Sequence, residues 1–235
     1  MVNITLLPIF TDNYIWLLSQ GRQVIAVDPG DAAPLQAWLA DQGCELAAIL
    51  ITHHHHDHVG GLAELVTPGL PVYGPAQLEY ITDPLQGGET ITLFDQPFQV
   101  LATPGHTQDH LSYWGAGALF CGDTLFAGGC GRLLGGSAEQ LFHSLQRLAQ
   151  LPPATLVCCT HEYTLANLRF ARTVEPNNQA LLDRQTAASQ IRSQNLPTLP
   201  SNIALEIASN PFLRADQADV FASVLAQNPT IKTTL

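Results

Sequence analysis

Short apolar runs alternate with polar turn segments from the N-terminus to about residue 160. Runs rich in Ile, Leu and Val, bounded by Gly, Pro, Asn or Asp, are typical of β-strands. Helices are predicted where apolar residues instead recur three and four positions apart, as they do in Pro34–Gln42, Gly60–Val66 and Ala138–Gln150. The predicted strands are Asn3–Ile9, Asn13–Ser19, Gln23–Val27, Leu46–Ile51, Val72–Tyr73, Glu89–Phe94, Phe98–Ala102, His110–Trp114, Ala118–Cys121 and Thr155–Cys158.

The pattern changes near Thr164, after which helical spacing dominates. We predict helices over Leu165–Val174, Ala180–Arg192 and Asp216–Ala226, with a Pro-rich connector at Leu196–Ser201. The change predicts a domain boundary that separates residues 1–164, of class α/β (α+β), from a small all-α domain over residues 165–235. No stretch approaches the roughly 20 apolar residues of a membrane helix, and the N-terminus does not resemble a signal peptide.

The segment Ile51–Gly61 reads Ile-Thr-His-His-His-His-Asp-His-Val-Gly-Gly and follows a predicted strand. We expect it to form a strand-to-helix loop, where α/β proteins commonly place their chemistry. Imidazole nitrogens and carboxylate oxygens suit zinc, iron or manganese. Four residues of the segment have the spacing of metal ligands: His53, His55, Asp57 and His58. Four ligands do not fill two metal sites, so the pattern predicts further ligands along the chain.

Three such residues follow the ends of later predicted strands, namely His106, Asp123 and His161. We predict one site from His53, His55 and His106, and a second from Asp57, His58 and His161. Asp123 has two carboxylate oxygens and could bridge two ions about 3.5–4 Å apart. The alternative is a solvated His tract that binds metal incidentally. However, seven of the nine histidines fall within the segment or at these later positions, whereas His54 and His56 alternate out of the ligand set.

The motif Thr-His-x-His-x-Asp-His, residues 52–58, resembles that of the metallo-β-lactamase superfamily. More narrowly, the chain resembles the hydroxyacylglutathione hydrolase (glyoxalase II) family over almost its whole length. The motifs that carry this narrower resemblance are Thr11–Tyr14, Val27–Gly30, Gly122–Phe126, Gly129–Arg132, His161–Thr164 and Asn210–Arg214.

The resemblance implies an αββα sandwich followed by a helical substrate-binding domain. It implies two divalent ions per chain, most often zinc, with iron or manganese as alternatives, and hydrolysis of S-(2-hydroxyacyl)glutathione to glutathione and a 2-hydroxy acid. In catalysis, Asp57 and Asp123 would hold the bridging hydroxide, while Asp28 and His110 would support the ligands. The implied substrate-binding residues are Arg132, Leu133, Leu134 and Tyr163.

The formal net charge of −11, with a single lysine, argues against a nucleic-acid partner, because nucleic-acid binders present basic patches. Five cysteines without a disulfide pattern fit a reducing compartment. We predict that they are small buried hydrophobes, of which Cys130 could face the site. A cytoplasmic monomer that acts on a small-molecule thioester is therefore expected, with no membrane partner.

Two departures from the family pattern bear on the substrate. Leu134 stands where eukaryotic members commonly carry a tyrosine, and the C-terminal Arg/Lys pair that grips the glycine carboxylate of glutathione has no counterpart except a displaced Lys232. These departures predict relaxed recognition of glutathione. The alternatives are a related hydrolase of other acyl thioesters, a mononuclear-iron persulfide dioxygenase, a β-lactamase, a nuclease, or a metal-stabilised binding module without turnover.

Overall fold

The chain forms two compact units in a computed structural model that describes residues 2–228. The first unit comprises the residues up to Ala102 together with Asp109–Ala116 and Phe120–Gly122. The second comprises Thr103–Gln108, Gly117–Leu119 and the chain from Asp123 onward. Lys232 lies outside the described residues. The predicted domain boundary at residue 164 stays a prediction.

The described residues form strands and helices that are numbered in chain order. The strands are β1 (Asn3–Ile9), β2 (Asn13–Gln20), β3 (Gln23–Val27), β4 (Glu45–Leu50), β5 (Val72–Pro75), β6 (Asp83–Leu85), β7 (Thr90–Leu93), β8 (Gln96–Ala102), β9 (Leu111–Gly115), β10 (Ala118–Gly122), β11 (Leu125–Phe126), β12 (Gly129–Cys130), β13 (Leu156–Cys159) and β14 (Ser201–Asn202). The helices are α1 (Ala32–Gln42), α2 (His56–Val59), α3 (Leu62–Leu65), α4 (Ala138–Leu148), α5 (Thr164–Val174), α6 (Gln179–Ser193), α7 (Ile203–Ser209), α8 (Pro211–Arg214) and α9 (Ala218–Gln227).

Two six-stranded sheets carry the fold. The first has the order β1-β2-β3-β4-β5-β6 and the second has the order β14-β13-β10-β9-β8-β7. In the first sheet β1, β2 and β3 pair antiparallel, and β3, β4, β5 and β6 pair parallel. Parallel neighbours need a crossover, which α1 supplies between β3 and β4. The mixed sheets and helices confirm the predicted α/β class.

One face of the first sheet is buried against α1 and α3. Leu17 of β2, Ala26 of β3 and Ile49 of β4 are fully buried and cluster with Leu35 of α1 and Leu62 of α3. Because the apolar residues of α1 and α3 close this core, the segment that enters the His tract after β4 begins from a fixed strand end.

The helices α4 to α9 belong to the second unit. Ser137 and Gln140 form a capping box at the start of α4, and this box satisfies backbone donors that a helix N-terminus leaves unpaired. Helices α5 and α6 pack through the buried residues Leu168, Ala171, Leu181 and Ala188. Among residues 2–228, no helix has the length and apolar character needed to cross a membrane.

The sequence predictions missed the shortest elements. The strands β6, β11, β12 and β14 are only two or three residues long, and such segments show no periodicity. The predicted helix Gly60–Val66 is shortened to α3, and a further short helix, α2, precedes it and begins at His56 within the His tract. The region after Thr164, for which helices and a connector were predicted, also contributes the short strand β14, which pairs with β13.

The cysteines are free thiols, and four of the five are buried, whereas Cys44 is half-exposed. The prediction that all five are buried is therefore wrong for Cys44, which follows the C-terminal end of α1. Burial raises the pKa of Cys159 to about 12 and raises the pKa of the Cys130 and Cys158 thiols well above the usual range.

We expect a thiol reagent to modify about one cysteine per native chain at pH 8, because four of the five thiols are buried and only Cys44 is accessible. Mass spectrometry should locate the label at Cys44, and denatured protein should take up five labels. Rapid native labelling of Cys130 or Cys159 would contradict the burial of these thiols.

Candidate metal centre

Four ligand candidates of the first unit follow β4 on a short stretch of backbone. Residues before α2 are extended, and His55 has φ −65° and ψ 144°. This conformation brings His53 Nε2 and His55 Nδ1 to 2.9 Å from each other. Asp57 and His58 lie on α2, where His58 Nε2 is 3.6 Å from Asp57 Oδ2. The loop therefore presents two pairs of donor atoms.

The buried carboxylate of Asp28 orients two of these histidines. Asp28 accepts hydrogen bonds from Thr52 N at 2.8 Å and Thr52 Oγ1 at 2.7 Å, and its Oδ2 lies 2.9 Å from His58 Nδ1. Thr52 Oγ1 also lies 3.0 Å from His53 Nδ1. Because the Thr52 hydroxyl donates to Asp28, it accepts from His53. Both imidazoles are thus protonated at Nδ1, which leaves the lone pair on Nε2 for a metal.

Asp57 is held by its backbone and by its side chain. Asn13 Nδ2 donates to Asp57 Oδ2 at 2.8 Å, and Asn13 itself is buried. A Cβ at Gly30 would lie 1.9 Å from the Asp57 carbonyl oxygen, so only glycine fits there.

His110 is buried and stacks on His53 with ring centroids 4.9 Å apart. This contact fits the predicted supporting role of His110.

The second unit supplies the other three candidates. Asp123 Oδ2 is 3.5 Å from His106 Nε2, and Asp123 Oδ1 is 3.3 Å from His161 Nε2. His106 Nδ1 donates to the Arg132 carbonyl oxygen at 2.8 Å, so the lone pair of His106 is also on Nε2. A Cβ at Gly131 would lie 1.9 Å from the Asp123 carbonyl oxygen, which repeats the requirement for glycine seen beside Asp57.

Two aromatic rings fix the imidazole of His161. The ring of Tyr163 stacks on it with a centroid distance of 4.6 Å and an interplanar angle of 7°. Phe126 packs edge-on against both rings, at 5.8 Å from His161 and 5.3 Å from Tyr163. The imidazole plane is therefore set by packing.

The structure brings the seven predicted ligands into three groups. The donor atoms within each group all lie within 4.8 Å of one another. The groups are His53, His55 and His106; Asp57, His58 and His161; and His53, His58 and Asp123. The first two are the predicted triads, and the third joins Asp123 to one member of each. His54, His56 and His110 are not in these groups.

The donor set fits divalent ions of the zinc type. Tetrahedral zinc with Zn–N and Zn–O distances of about 2.0–2.2 Å requires neighbouring donors about 3.3–3.5 Å apart. The three carboxylate–imidazole separations of 3.3, 3.5 and 3.6 Å are at or close to such edges, whereas His53 Nε2 and His55 Nδ1, 2.9 Å apart, are closer together than an edge requires. Their roles as ligands stay predictions.

The predicted substrate-binding residues differ in exposure. Leu134 is 49% exposed, whereas Arg132, Leu133 and Tyr163 are half-buried. Leu134 N donates to the His106 carbonyl oxygen at 2.8 Å, so the segment after Arg132 runs beside a ligand. These contacts do not test the roles of the four residues in binding.

Several supporting residues escaped the sequence analysis. Asn13 and Phe126 lie inside quoted family motifs, and their positions were therefore the available signal. Thr52 directly precedes the first histidine and was not given a role. Glu206 and Arg184 form a buried ion pair that no sequence pattern indicates.

The fold is that of a metallo-beta-lactamase-type protein, and the sequence model of that superfamily matches residues 9–81 and 67–161. Among solved structures, the chain is similar to ETHE1 from Myxococcus xanthus, with a TM-score of 0.71 and 25% identity over 97% of this chain and 90% of that one. It is also similar to TTHA1623 in a di-iron-bound form, with a TM-score of 0.62 and 28% identity over 89% and 99% of the two chains.

Further matches identify the family within this superfamily. Residues 162–234 match the model of the hydroxyacylglutathione hydrolase C-terminus. The hydroxyacylglutathione hydrolase of Nitrosomonas eutropha is 49% identical over 95% of this chain and 89% of its own length. The enzyme of that name from Vibrio cholerae is 48% identical over 98% and 94%. The chain belongs to the hydroxyacylglutathione hydrolase family.

We expect the substitution Asp28→Asn to lower zinc affinity by roughly 10- to 100-fold, as loss of a group that orients a metal ligand typically does. Asp28 now accepts hydrogen bonds from three donors, and the NH2 group of an asparagine amide would face at least one of them. Chelator competition on the metal-depleted and reloaded protein measures the affinity.

The matched control is Asp31→Asn. Asp31 caps α1 by accepting from Ala33 N, a role that asparagine fills equally well, so zinc affinity should not change. Equal zinc affinity in Asp28→Asn and wild type would show that Asp28 does not orient the ligands.

Proposed function

We propose that this chain is a binuclear-metal thioesterase that hydrolyses S-(2-hydroxyacyl)glutathione, such as S-D-lactoylglutathione, to glutathione and a 2-hydroxy acid. The observation that carries the proposal is the set of seven imidazole and carboxylate donors, grouped as two triads linked by Asp123. Membership of the hydroxyacylglutathione hydrolase family supplies the substrate class.

His53, His55 and His106 would hold one ion, Asp57, His58 and His161 would hold the other, and Asp123 would contact both. Two divalent ions there would lower the pKa of a bound water and polarise the carbonyl of the thioester. The chain itself orients these donors through contacts such as those of Asp28 with His58 and of the Arg132 carbonyl with His106.

The leaving group requires little from the protein. Water adds to the carbonyl carbon, the carbon–sulfur bond breaks, and the thiol departs as a thiolate. Because a cysteine-type thiol has a pKa of about 8.5, it leaves without a proton donor aimed at sulfur. The proposed reaction therefore assigns the donor set to metal binding and needs no additional side chain as an acid.

Glutathione carries two carboxylates, and Arg132 is the proposed partner for one of its polar groups. The guanidinium can form two parallel hydrogen bonds to a carboxylate or an amide carbonyl. Leu133 and Leu134 would contact the apolar part of the substrate beside it. Tyr163 would line the site next to His161, on which its ring stacks.

We propose zinc as the resident metal, with iron or manganese as alternatives, because imidazole and carboxylate donors accept all three. The di-iron form of TTHA1623 supports iron as an alternative. We also propose a monomer in the cytoplasm without a nucleic-acid or membrane partner. Cysteines without a disulfide pattern fit a reducing compartment, and the net charge of −11 argues against a nucleic-acid partner.

The test is steady-state hydrolysis of S-D-lactoylglutathione by purified protein whose metal content is measured in the same sample. We expect turnover with about two metal ions per chain, and loss of turnover after treatment with a chelator. One iron per chain with oxygen consumption and no hydrolysis would instead indicate a mononuclear dioxygenase.

We expect the substitution Arg132→Met to raise KM by roughly 10-fold with little change in kcat, because a charge-assisted hydrogen bond contributes about 1.5–3 kcal/mol and this side chain is only half-buried. Zinc content should not change, since His106 bonds the Arg132 backbone. Arg169→Met is the matched control, because Arg169 is an exposed residue of α5. An unchanged KM in Arg132→Met would remove Arg132 from the binding site.

A further inference from the structure

Three proposed ligands depend on the position of one hairpin, formed by residues 125–130. Asp123 lies two residues before the hairpin. The Arg132 carbonyl, two residues after it, accepts the hydrogen bond that orients His106. Phe126, within it, packs against the imidazole of His161. A displacement of the hairpin would therefore disturb the geometry of all three ligands of the second unit.

The hairpin cannot fix its own position. Each strand is two residues long, and the pairing consists of Leu125 with Cys130 and Phe126 with Gly129. Even longer two-stranded hairpins are only marginally stable in water by themselves. Gly128 adopts φ +69°, which glycine reaches without strain. The geometry of the hairpin must therefore come from other parts of the chain.

Side chains from the helical region bind the backbone of four successive hairpin residues. Asn210 Nδ2 donates to the carbonyl oxygens of Phe126 at 3.2 Å and Gly129 at 2.9 Å. Glu206 Oε2 accepts from Gly128 N at 2.9 Å. The carbonyl oxygen of the remaining residue, Ala127, accepts from Asn167 Nδ2 at 3.2 Å. Glu206 and Asn210 are both fully buried.

The charge of Glu206 is compensated by a buried arginine. Arg184 pairs with Glu206 Oε1, which also accepts from the Ser201 hydroxyl. The second amino group of Arg184 donates to Ser209 Oγ at 2.8 Å. A buried ion pair is weak evidence for stability, since apolar packing of similar volume can replace it. Its geometry is specific, because it directs Glu206 Oε2 toward Gly128 N and Asn210.

We propose that Glu206 and Asn210 are positioning residues for the metal centre. They hold the hairpin where Asp123, His106 and His161 can bind metal together. The inference rests on the proposed function, since it takes these three residues as ligands. It gives the helical region a role in the metal chemistry that is separate from contact with substrate.

Two substitutions test the proposal from different directions. Glu206→Gln keeps the shape, but its NH2 group must face either Arg184 and Ser201 or Gly128 N and Asn210, all of which are donors. Asn210→Ser removes the donors to the hairpin and retains a hydroxyl that can cap α8, as Asn210 Oδ1 now does by accepting from Phe212 N at 3.1 Å.

Zinc affinity is measured by chelator competition, together with kcat and KM for the thioester. We expect zinc affinity to fall by about 10-fold in both variants, the lower end of what outer contacts to metal ligands contribute. We also expect kcat to fall, because Asp123, His106 and His161 would lose the geometry that the hairpin gives them.

Leu181→Ala is the matched control for loss of stability in the same region. Leu181 is buried between α5 and α6 and belongs to a cluster without hairpin residues. This variant should unfold at a lower temperature and keep the wild-type zinc affinity. An equal loss of zinc affinity in Leu181→Ala would assign the effect to general destabilisation and overturn the proposal.

Unchanged zinc affinity and kcat in folded Asn210→Ser would also overturn it, and this variant decides the matter if Glu206→Gln does not fold. The proposed function fails separately, if wild-type protein binds zinc and does not hydrolyse the thioester. In that case the zinc affinities of the variants still decide whether the hairpin is anchored as proposed.

Discussion

The structure depends on one constraint, which is that many electron-pair donors must lie close together in a small volume. Groups of imidazole nitrogens and carboxylate oxygens lie within 4.8 Å of one another, and most of these residues are buried. Donor atoms brought this close repel one another and lose hydration, and bound cations would offset both costs. The surrounding chain must hold the donors in place against that repulsion, and much of the local sequence serves this purpose.

Hydrogen bonds and close backbone contacts hold the donor side chains in place. Each oriented imidazole has an acceptor at Nδ1, which is Thr52 for His53, Asp28 for His58 and the Arg132 carbonyl for His106. The backbones of Asp57 and Asp123 each lie against a glycine that admits no side chain. Most of these supports are buried, so they restrict the motion of the donors while leaving the other ring nitrogen available.

The seven donors could be predicted from sequence because each follows the end of an apolar strand, and side chains at neighbouring strand ends converge. The α/β class followed from the same alternation of apolar runs. The ion pair of Glu206 and Arg184 could not be predicted, because no periodic spacing marks either residue. Asn210 lies in a quoted family motif, but the motif does not indicate what its side chain binds. Short strands such as β12 and β14 also depend on tertiary pairing, which local propensity does not encode.

The central claim is that these residues form one binuclear centre, and anomalous X-ray scattering from crystals of zinc-loaded protein tests it most directly. We expect two peaks about 3.5–4 Å apart, one beside His53, His55 and His106 and the other beside Asp57, His58 and His161, with Asp123 in contact with both. A single peak, or peaks at other residues in fully loaded crystals, would contradict the account.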